Sequence, residues 1–334
     1  MLNDSGIGIA ITGSGSAAPS RALDNEGLSH FVDTSDEWIA SRTGIRQRRL
    51  ARPDESLKAI ATQAAQNALE MAGITPLEVD LIVLATSTPD DLFGTASQVQ
   101  AALGATKAVA FDLTAACSGF VFGLVTAAQF IRTGTYQTVL LIGGDILSRW
   151  VDWSDRRTCV LFGDGAGAVV LRANPQGNHL LGFELRSDGM QNSCLTLAYQ
   201  PQPKTLTDDL TVGQGSFQPI QMNGQEVYRF AVKKVPEVIE KALFRAELSV
   251  AQVDWLLLHQ ANQRILDAVA DRLGIPPEKV ISNMARYGNT SAASIPIALD
   301  EAVREGRIKS GDVIAASGFG AGLTWGATIF RWGI

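Results

Sequence analysis

The two halves of this 334-residue chain repeat one another, and no other feature constrains its fold as strongly. A helix-period apolar pattern over residues 57–71 leads into the apolar run 79–84, and a second pattern over 227–246 leads into the run 253–258. Val253 follows Val79 by 174 residues. Further on, Ile131-Arg132-Thr133-Gly134 precedes the apolar run 139–143, and Val303-Arg304-Glu305-Gly306 precedes 313–317. Gly306 follows Gly134 by 172 residues. Each half then closes with a glycine-rich bend and a strand, 162–171 and 319–330. Short apolar strands alternating with helices predict a layered α/β architecture. Two halves related by a pseudo-twofold axis, 1–175 and 176–334, are expected to pack into one body. Functional groups then belong beyond the carboxyl ends of the strands.

Composition removes several functions. With 46% hydrophobic residues the chain can bury one large core or two ordinary ones. A net charge of −6 argues against a general nucleic-acid surface. No apolar run approaches a membrane span. Asp4, and no basic residue, precedes the first short apolar stretch, unlike a signal peptide. Three cysteines cannot pair evenly and none has CxxC spacing, so neither a disulfide framework nor a metal site is expected. A reducing, cytoplasmic setting follows. The polar stretch 191–215 is the expected long excursion.

Chemistry concentrates at three residues. Cys117 follows the run 109–111 and the small residues Thr114-Ala115-Ala116, and opens a helix pattern over 118–125. Unpaired N–H groups at a helix start create a positive field, which favours thiolate and can hold an oxyanion. A free cysteine is more often a small buried hydrophobe, the reading given to Cys159 within 158–162. Cys194 lies in a polar loop without a visible partner. His259 ends the strand-like run 253–258, where a structural hydrogen-bonding role is the commoner one. Asn289, in Gly288-Asn289-Thr290-Ser291, suits an N-cap or an oxyanion donor. Cys117 lies 17 residues before Gly134 and Asn289 lies 17 before Gly306. The repeat therefore predicts equivalent helix starts facing one another, with His259 at a neighbouring strand end. Two neutral N–H donors facing a thiolate suit thioester and enolate chemistry better than peptide hydrolysis.

Two glycine clusters mislead. Gly13-Ser14-Gly15 follows an apolar strand, yet Pro19 comes at once and no helix pattern develops. Gly163-Asp164-Gly165-Ala166-Gly167 leads into a strand and reads as tight backbone packing.

In order along the chain, the segments 34–39, 42–46, 162–167, 259–262, 288–294 and 324–326 resemble the 3-oxoacyl-[acyl-carrier-protein] synthase III family. The resemblance covers essentially the whole chain. It implies a thiolase-type, five-layered αβαβα fold and a homodimer. The implied reaction is acylation of Cys117 by acetyl-CoA or another short acyl-CoA, then decarboxylative condensation with malonyl-acyl carrier protein. By the same resemblance the N–H groups of Cys117 and Ala321 hold the oxyanion, while His259 and Asn289 stabilise the enolate. No cofactor or metal is implied, because loss of carbon dioxide generates the nucleophile.

The resemblance also assigns CoA contacts to Thr34, Trp38, Arg42, Arg156, Gly224 and Asn262. Trp38 and Arg156 would sandwich adenine. Arg264 and Arg229 would dock the acidic carrier protein. Arg42, Arg46, Arg48 and Arg49 would serve CoA phosphates or form a solvated face. The acyl pocket would involve Leu92, Tyr228 and Phe319. Leu92 stands where a partner-subunit phenylalanine often closes that pocket, and Tyr228 replaces a phenylalanine. Ala321 stands where relatives often have glycine, and its N–H serves only if φ is negative there. Two other readings fit the residues: a related condensing enzyme of secondary metabolism, and a noncatalytic acyl-thioester-binding protein on the same fold.

Overall fold

Two five-stranded sheets carry the repeat in the computed structural model, which describes residues 6–333. The first comprises β1 (Ile9–Ala17), β2 (Leu81–Ala85), β3 (Val109–Leu113), β4 (Thr138–Ile146) and β5 (Asp164–Ala173), in the order β1-β5-β4-β2-β3. The second comprises β6 (Leu180–Ser187), β7 (Trp255–Leu258), β8 (Val280–Ile281), β9 (Val313–Gly320) and β10 (Thr324–Arg331), in the order β6-β10-β9-β7-β8. The orders match strand for strand. In both sheets the first two pairings are antiparallel and the last two parallel.

Helices supply three further layers. The seven that frame the site are α1 (Asp36–Thr43), α2 (Leu57–Ala72), α3 (Ala96–Leu103), α4 (Gly119–Arg132), α5 (Gly224–Arg245), α6 (Gln263–Leu273) and α7 (Ser294–Arg304). α2 and α3 cover the outer face of the first sheet, and α5 and α6 that of the second. α4 and α7 lie between the sheets, giving an αβαβα sandwich. The central layer is apolar on the faces it turns to both sheets, as burial from two sides demands. Phe120, Leu124, Ile295 and Leu299 pack with Val83, Leu141, Leu257 and Ile314. Each such side chain contributes roughly 1.5–3 kcal/mol by leaving water.

Local signals set the helix limits. Ser56 caps α2 by accepting from the Ala59 N–H, and Gly73 ends it at φ 65°. The alanines of α2 allow close approach to the sheet: a Cβ on Gly15 would stand 2.3 Å from the Ala64 carbonyl. Asn223 and Asn262 cap α5 and α6 with their side chains. The polar stretch after β6 forms short, exposed strand pairs, including Pro203–Thr207 with Leu210–Gly213. The first misleading glycine cluster lies within β1, and the second runs from Gly163 into β5. No described helix is long and apolar enough to cross a membrane.

Candidate active site

Cys117 sits in a 3-10 turn, Ala116–Ser118, that leads directly into α4. Ala116 opens the turn in the left-handed region at φ 47°. β9 ends against it: a Cβ on Gly320 would stand 2.6 Å from the Cys117 nitrogen, so only glycine leaves that N–H uncovered. Thr324 ties the following loop to the turn, its hydroxyl lying 3.0 Å from the Ala115 carbonyl oxygen and 3.1 Å from that of Ala321. Ala321 is not among the residues with positive φ, so the alanine leaves the loop unstrained.

Burial opposes the field expected at this helix start. Cys117 is buried, and burial pushes its thiol up to about 12. The Ser291 hydroxyl works against that shift, and the Asp145 carboxylate adds to it. Burial thus favours the thiol, against the field of the helix start. Cys159 behaves as core, its thiol raised by burial to about 11.

His259 follows β7 and is buried. Burial lowers its pKa to about 3, so the ring is neutral across the physiological range. Its Nδ1 lies 2.7 Å from the Ser294 hydroxyl, which already accepts from the Gln260 N–H at 3.3 Å. A hydroxyl proton directed at Nδ1 leaves the hydrogen on Nε2. Phe319 packs edge-on against the ring at 5.3 Å. Asn289 accepts from the Ser291 N–H through Oδ1 at 2.9 Å, which turns its amide nitrogen the other way. Its backbone is fixed between Leu161 and Gly163.

Three cavities converge on this point. A narrow one of about 100 Å³ is lined by Cys117, His259, Asn289, Phe319 and, farther out, Gly224 and Tyr228. Asn262 also lines it, while its Oδ1 caps α6 through the Arg264 N–H. This channel shares Gly224, Tyr228 and Asn262 with a surface cleft of about 880 Å³ that holds Trp38, Arg42, Arg156, Arg229 and Arg264. On the other side of Cys117 lies an apolar cavity of about 680 Å³, lined by Leu92, Trp150, Leu197, Phe217, Ile220 and Ala321 among others.

Several sequence expectations shift. Tyr228 and Phe319 line the narrow channel, away from the wide apolar cavity, where only Leu92 of the three expected acyl-pocket residues stands. The aromatic and aliphatic wall of that cavity carries no signal in the sequence, because Leu197 lies inside the polar stretch 191–215 and Phe217 just beyond it. Arg156 lies 5.4 Å from the Trp38 ring, in direct contact, with no room for a third plane between them. Arg42 also stacks on Trp38, at 4.7 Å. Thr34 is not among the cleft-lining residues, although its hydroxyl oxygen is buried without a partner. Arg48 is neither a phosphate ligand nor solvated: it is fully buried and donates to the Leu23 and Val160 carbonyls and to Asn25. Arg46 pairs with Asp36, and Arg229 with Glu226.

The pseudo-symmetric equivalence also moves by three residues. Ser291, like Ala116, is left-handed, at φ 52°, and opens the 3-10 turn Ser291–Ala293 before α7. Cys117 thus corresponds to Ala292, and Asn289 to Thr114. α7 has 11 residues and α4 has 14, a difference of nearly one turn, which masks the shift when positions are counted back from Gly134 and Gly306.

Comparison with known proteins agrees with this architecture. Sequence models described as 3-oxoacyl-[acyl-carrier-protein] synthase III and its C-terminal part match residues 111–189 and 243–332. The beta-ketoacyl-[acyl-carrier-protein] synthase III of Trichormus variabilis is 72% identical over 98% of this chain and 99% of its own length. That of Trichodesmium erythraeum is 70% identical over 98% and 99%. Among solved structures, 3-oxoacyl-[acyl-carrier-protein] synthase III from Aquifex aeolicus superposes with a TM-score of 0.90 at 45% identity, covering 97% of this chain and 100% of that one. The priming beta-ketosynthase of the R1128 polyketide pathway superposes with a TM-score of 0.89 at 34% identity, covering 100% and 98%. The chain is therefore a condensing enzyme of the thiolase fold, an acyltransferase. It belongs to the 3-oxoacyl-[acyl-carrier-protein] synthase III family. With curated relatives at 65–72% identity carrying that name, the readings as a secondary-metabolism enzyme or a noncatalytic binder are not favoured.

Proposed function

We propose that this chain catalyses the initiating condensation of fatty acid synthesis, with halves 1–175 and 176–334 dividing the labour. The observation that carries the reading is that Cys117, His259 and Asn289 line one narrow channel opening into the Trp38–Arg42 cleft. The cleft takes the CoA head group, with Trp38, Arg42 and Arg156 around the nucleotide and Gly224 and Asn262 along the pantetheine arm. Opening the Trp38–Arg156 contact admits the base.

In the first half-reaction the Cys117 sulfur attacks the thioester carbonyl of acetyl-CoA or another short acyl-CoA. A C–S bond forms and the bond to CoA sulfur breaks. The thiol proton leaves with CoA, and the cysteine is acylated. The N–H groups of Cys117 and Ala321 hold the tetrahedral oxyanion, a type of contact worth about 10²–10³ in rate. Malonyl-acyl carrier protein then docks on Arg264 and Arg229 and passes its thioester down the same channel. Its carbon dioxide departs, and negative charge builds on the thioester oxygen. The Nε2–H of His259 and the amide of Asn289 stabilise that charge. A neutral imidazole donates without losing a proton, which suits an enolate. The carbanion attacks the acyl-cysteine, the bond from its carbonyl to the Cys117 sulfur breaks as 3-oxoacyl carrier protein leaves, and the expelled thiolate takes a proton from solvent to restore the thiol. Decarboxylation supplies the nucleophile, so the chemistry calls for no cofactor.

A homodimer and a cytoplasmic setting complete the reading. β3 is an edge strand, and beside it Leu92 and Phe93 are among the most exposed apolar side chains of the single chain. Pairing of β3 across a twofold axis would cover them and close the wide cavity with the partner's loop.

Incubation with acetyl-CoA and malonyl-acyl carrier protein, followed by mass analysis of the carrier, tests the assignment. Formation of acetoacetyl carrier protein is expected. Condensation with malonyl-CoA but not with the carrier-bound extender would overturn it.

A further inference from the structure

Asp145 is a fully buried carboxylate with no ion pair among the described residues. It stands at the end of β4, in the half opposite Asn289. Its Oδ1 accepts from the Ser87 N–H at 2.8 Å and from the hydroxyls of Thr88 and Thr86 at 2.9 and 3.1 Å. These donors follow β2, so Oδ1 is anchored within the first half. Its Oδ2 accepts from the Ala292 N–H at 3.2 Å, crossing to the second half. Burial raises the Asp145 pKa, and these donors work the other way. With the Ser291 hydroxyl, which also hydrogen-bonds this carboxylate, five groups converge on a side chain that touches no substrate cavity, which is an expensive arrangement unless the held segment matters.

That segment is the turn that sets Asn289. Ser291 adopts φ 52° without being glycine, a conformation that persists only when its surroundings enforce it. Its N–H binds Asn289 Oδ1 at 2.9 Å, and the next N–H along the chain is the one held by Asp145. We propose that Asp145 is a positioning residue for decarboxylation: by fastening the Ser291–Ala293 turn it fixes the Asn289 amide with its nitrogen toward the channel. The inference rests on the enolate-stabilising role assigned to Asn289 above.

Asp145→Asn tests it, since the amide offers one acceptor where the carboxylate offers two. Malonyl-carrier decarboxylation is measured in the Cys117→Ala background, and acyl transfer from acetyl-CoA is measured with Cys117 intact. The expected result is a fall in decarboxylation kcat of about tenfold or more with KM within about twofold, and a change in acyl transfer below about threefold. In an Asn289→Ala background the same substitution should cost no more than about twofold, because it acts through Asn289. Equal losses in both half-reactions, or losses that multiply with Asn289→Ala, would overturn the proposal while leaving Asn289 its role. If Asn289→Ala alone spared decarboxylation, the Asn289 assignment itself would fall, and this one with it. Should Asp145→Asn not fold, Thr88→Val removes one Oδ1 donor and is read by the same criteria, with an expected loss of about threefold.

Discussion

Cys117 and Ala292 occupy the same place in the two halves: each follows a left-handed residue and precedes a central helix. Gly318 lies against the Cys117 carbonyl as Gly143 lies against the Ala292 carbonyl, which fixes the correspondence. Two residues further along each strand the halves diverge. At one position stands Asp145, whose carboxylate takes the Ala292 N–H. At the other stands Gly320, which has no side chain and leaves the Cys117 N–H open toward the channel. The same backbone thus yields a sealed helix start in one half and an open one in the other. The sealed start is structural, with its partial charge neutralised by an anion. The open start keeps its donor for charge that develops during a reaction. Burial of Cys117 works against thiolate there. The value of the open start lies with the oxyanion.

The comparison can be broken at several points. The largest effect belongs to the residue that the sealed turn presents. Asn289→Ala should slow malonyl-carrier decarboxylation about 10²–10³-fold, with a much smaller effect on acylation of Cys117. Radiolabelled carbon dioxide release against acyl-enzyme formation separates the two, and a loss confined to acylation would reverse the assigned roles. Gly320→Ala covers the open N–H with a Cβ and should slow acyl transfer by about tenfold or more while leaving the fold intact by circular dichroism. Unchanged single-turnover acylation would show that the Cys117 N–H is not the oxyanion donor.

A smaller effect follows from the neutral histidine. Its folded pKa lies near 3, below the unfolded value near 6.5, so the unfolded chain binds the extra proton between these limits. Stability carried by this group is therefore present above pH 6.5 and is lost as pH falls toward 3. His259→Gln should gain on the parent by about 2 kcal/mol between pH 6.5 and 5 in denaturant titrations. A constant difference between the two proteins across that range would mean that the ring titrates in the fold as it does in the unfolded chain. The smallest effect is electrostatic and links the two turns. Asp145→Asn removes a charge that opposes thiolate at Cys117, so alkylation of Cys117 by iodoacetamide at pH 8 should quicken by a few-fold. A slower alkylation would contradict that sign.

The apolar periodicity of the repeat was enough to predict the layered α/β architecture, and the matched strand orders bear it out. Cys117, His259 and Asn289 were legible because each ends or begins an element, where a polar side chain can face a cavity. The register between the turns was not. The left-handed conformations at Ala116 and Ser291 carry no glycine to announce them, and the shortening of α7 cancels in the count to Gly306. Asp145 was invisible for a related reason. One acidic residue at the end of an apolar strand carries no periodic signal, and its five donors come from distant parts of the chain. Arg48 misled in the opposite sense, because a basic run looks solvated until carbonyl oxygens from other segments are brought to it.

Intact-protein mass spectrometry with peptide mapping after exposure to acetyl-CoA tests most directly whether the open helix start is the acyl acceptor. One acetyl group is expected on the peptide containing Cys117, none on those containing Cys159 or Cys194, and discharge on addition of malonyl-acyl carrier protein. An adduct that persists in Cys117→Ser, or that malonyl-acyl carrier protein fails to discharge, would contradict the account.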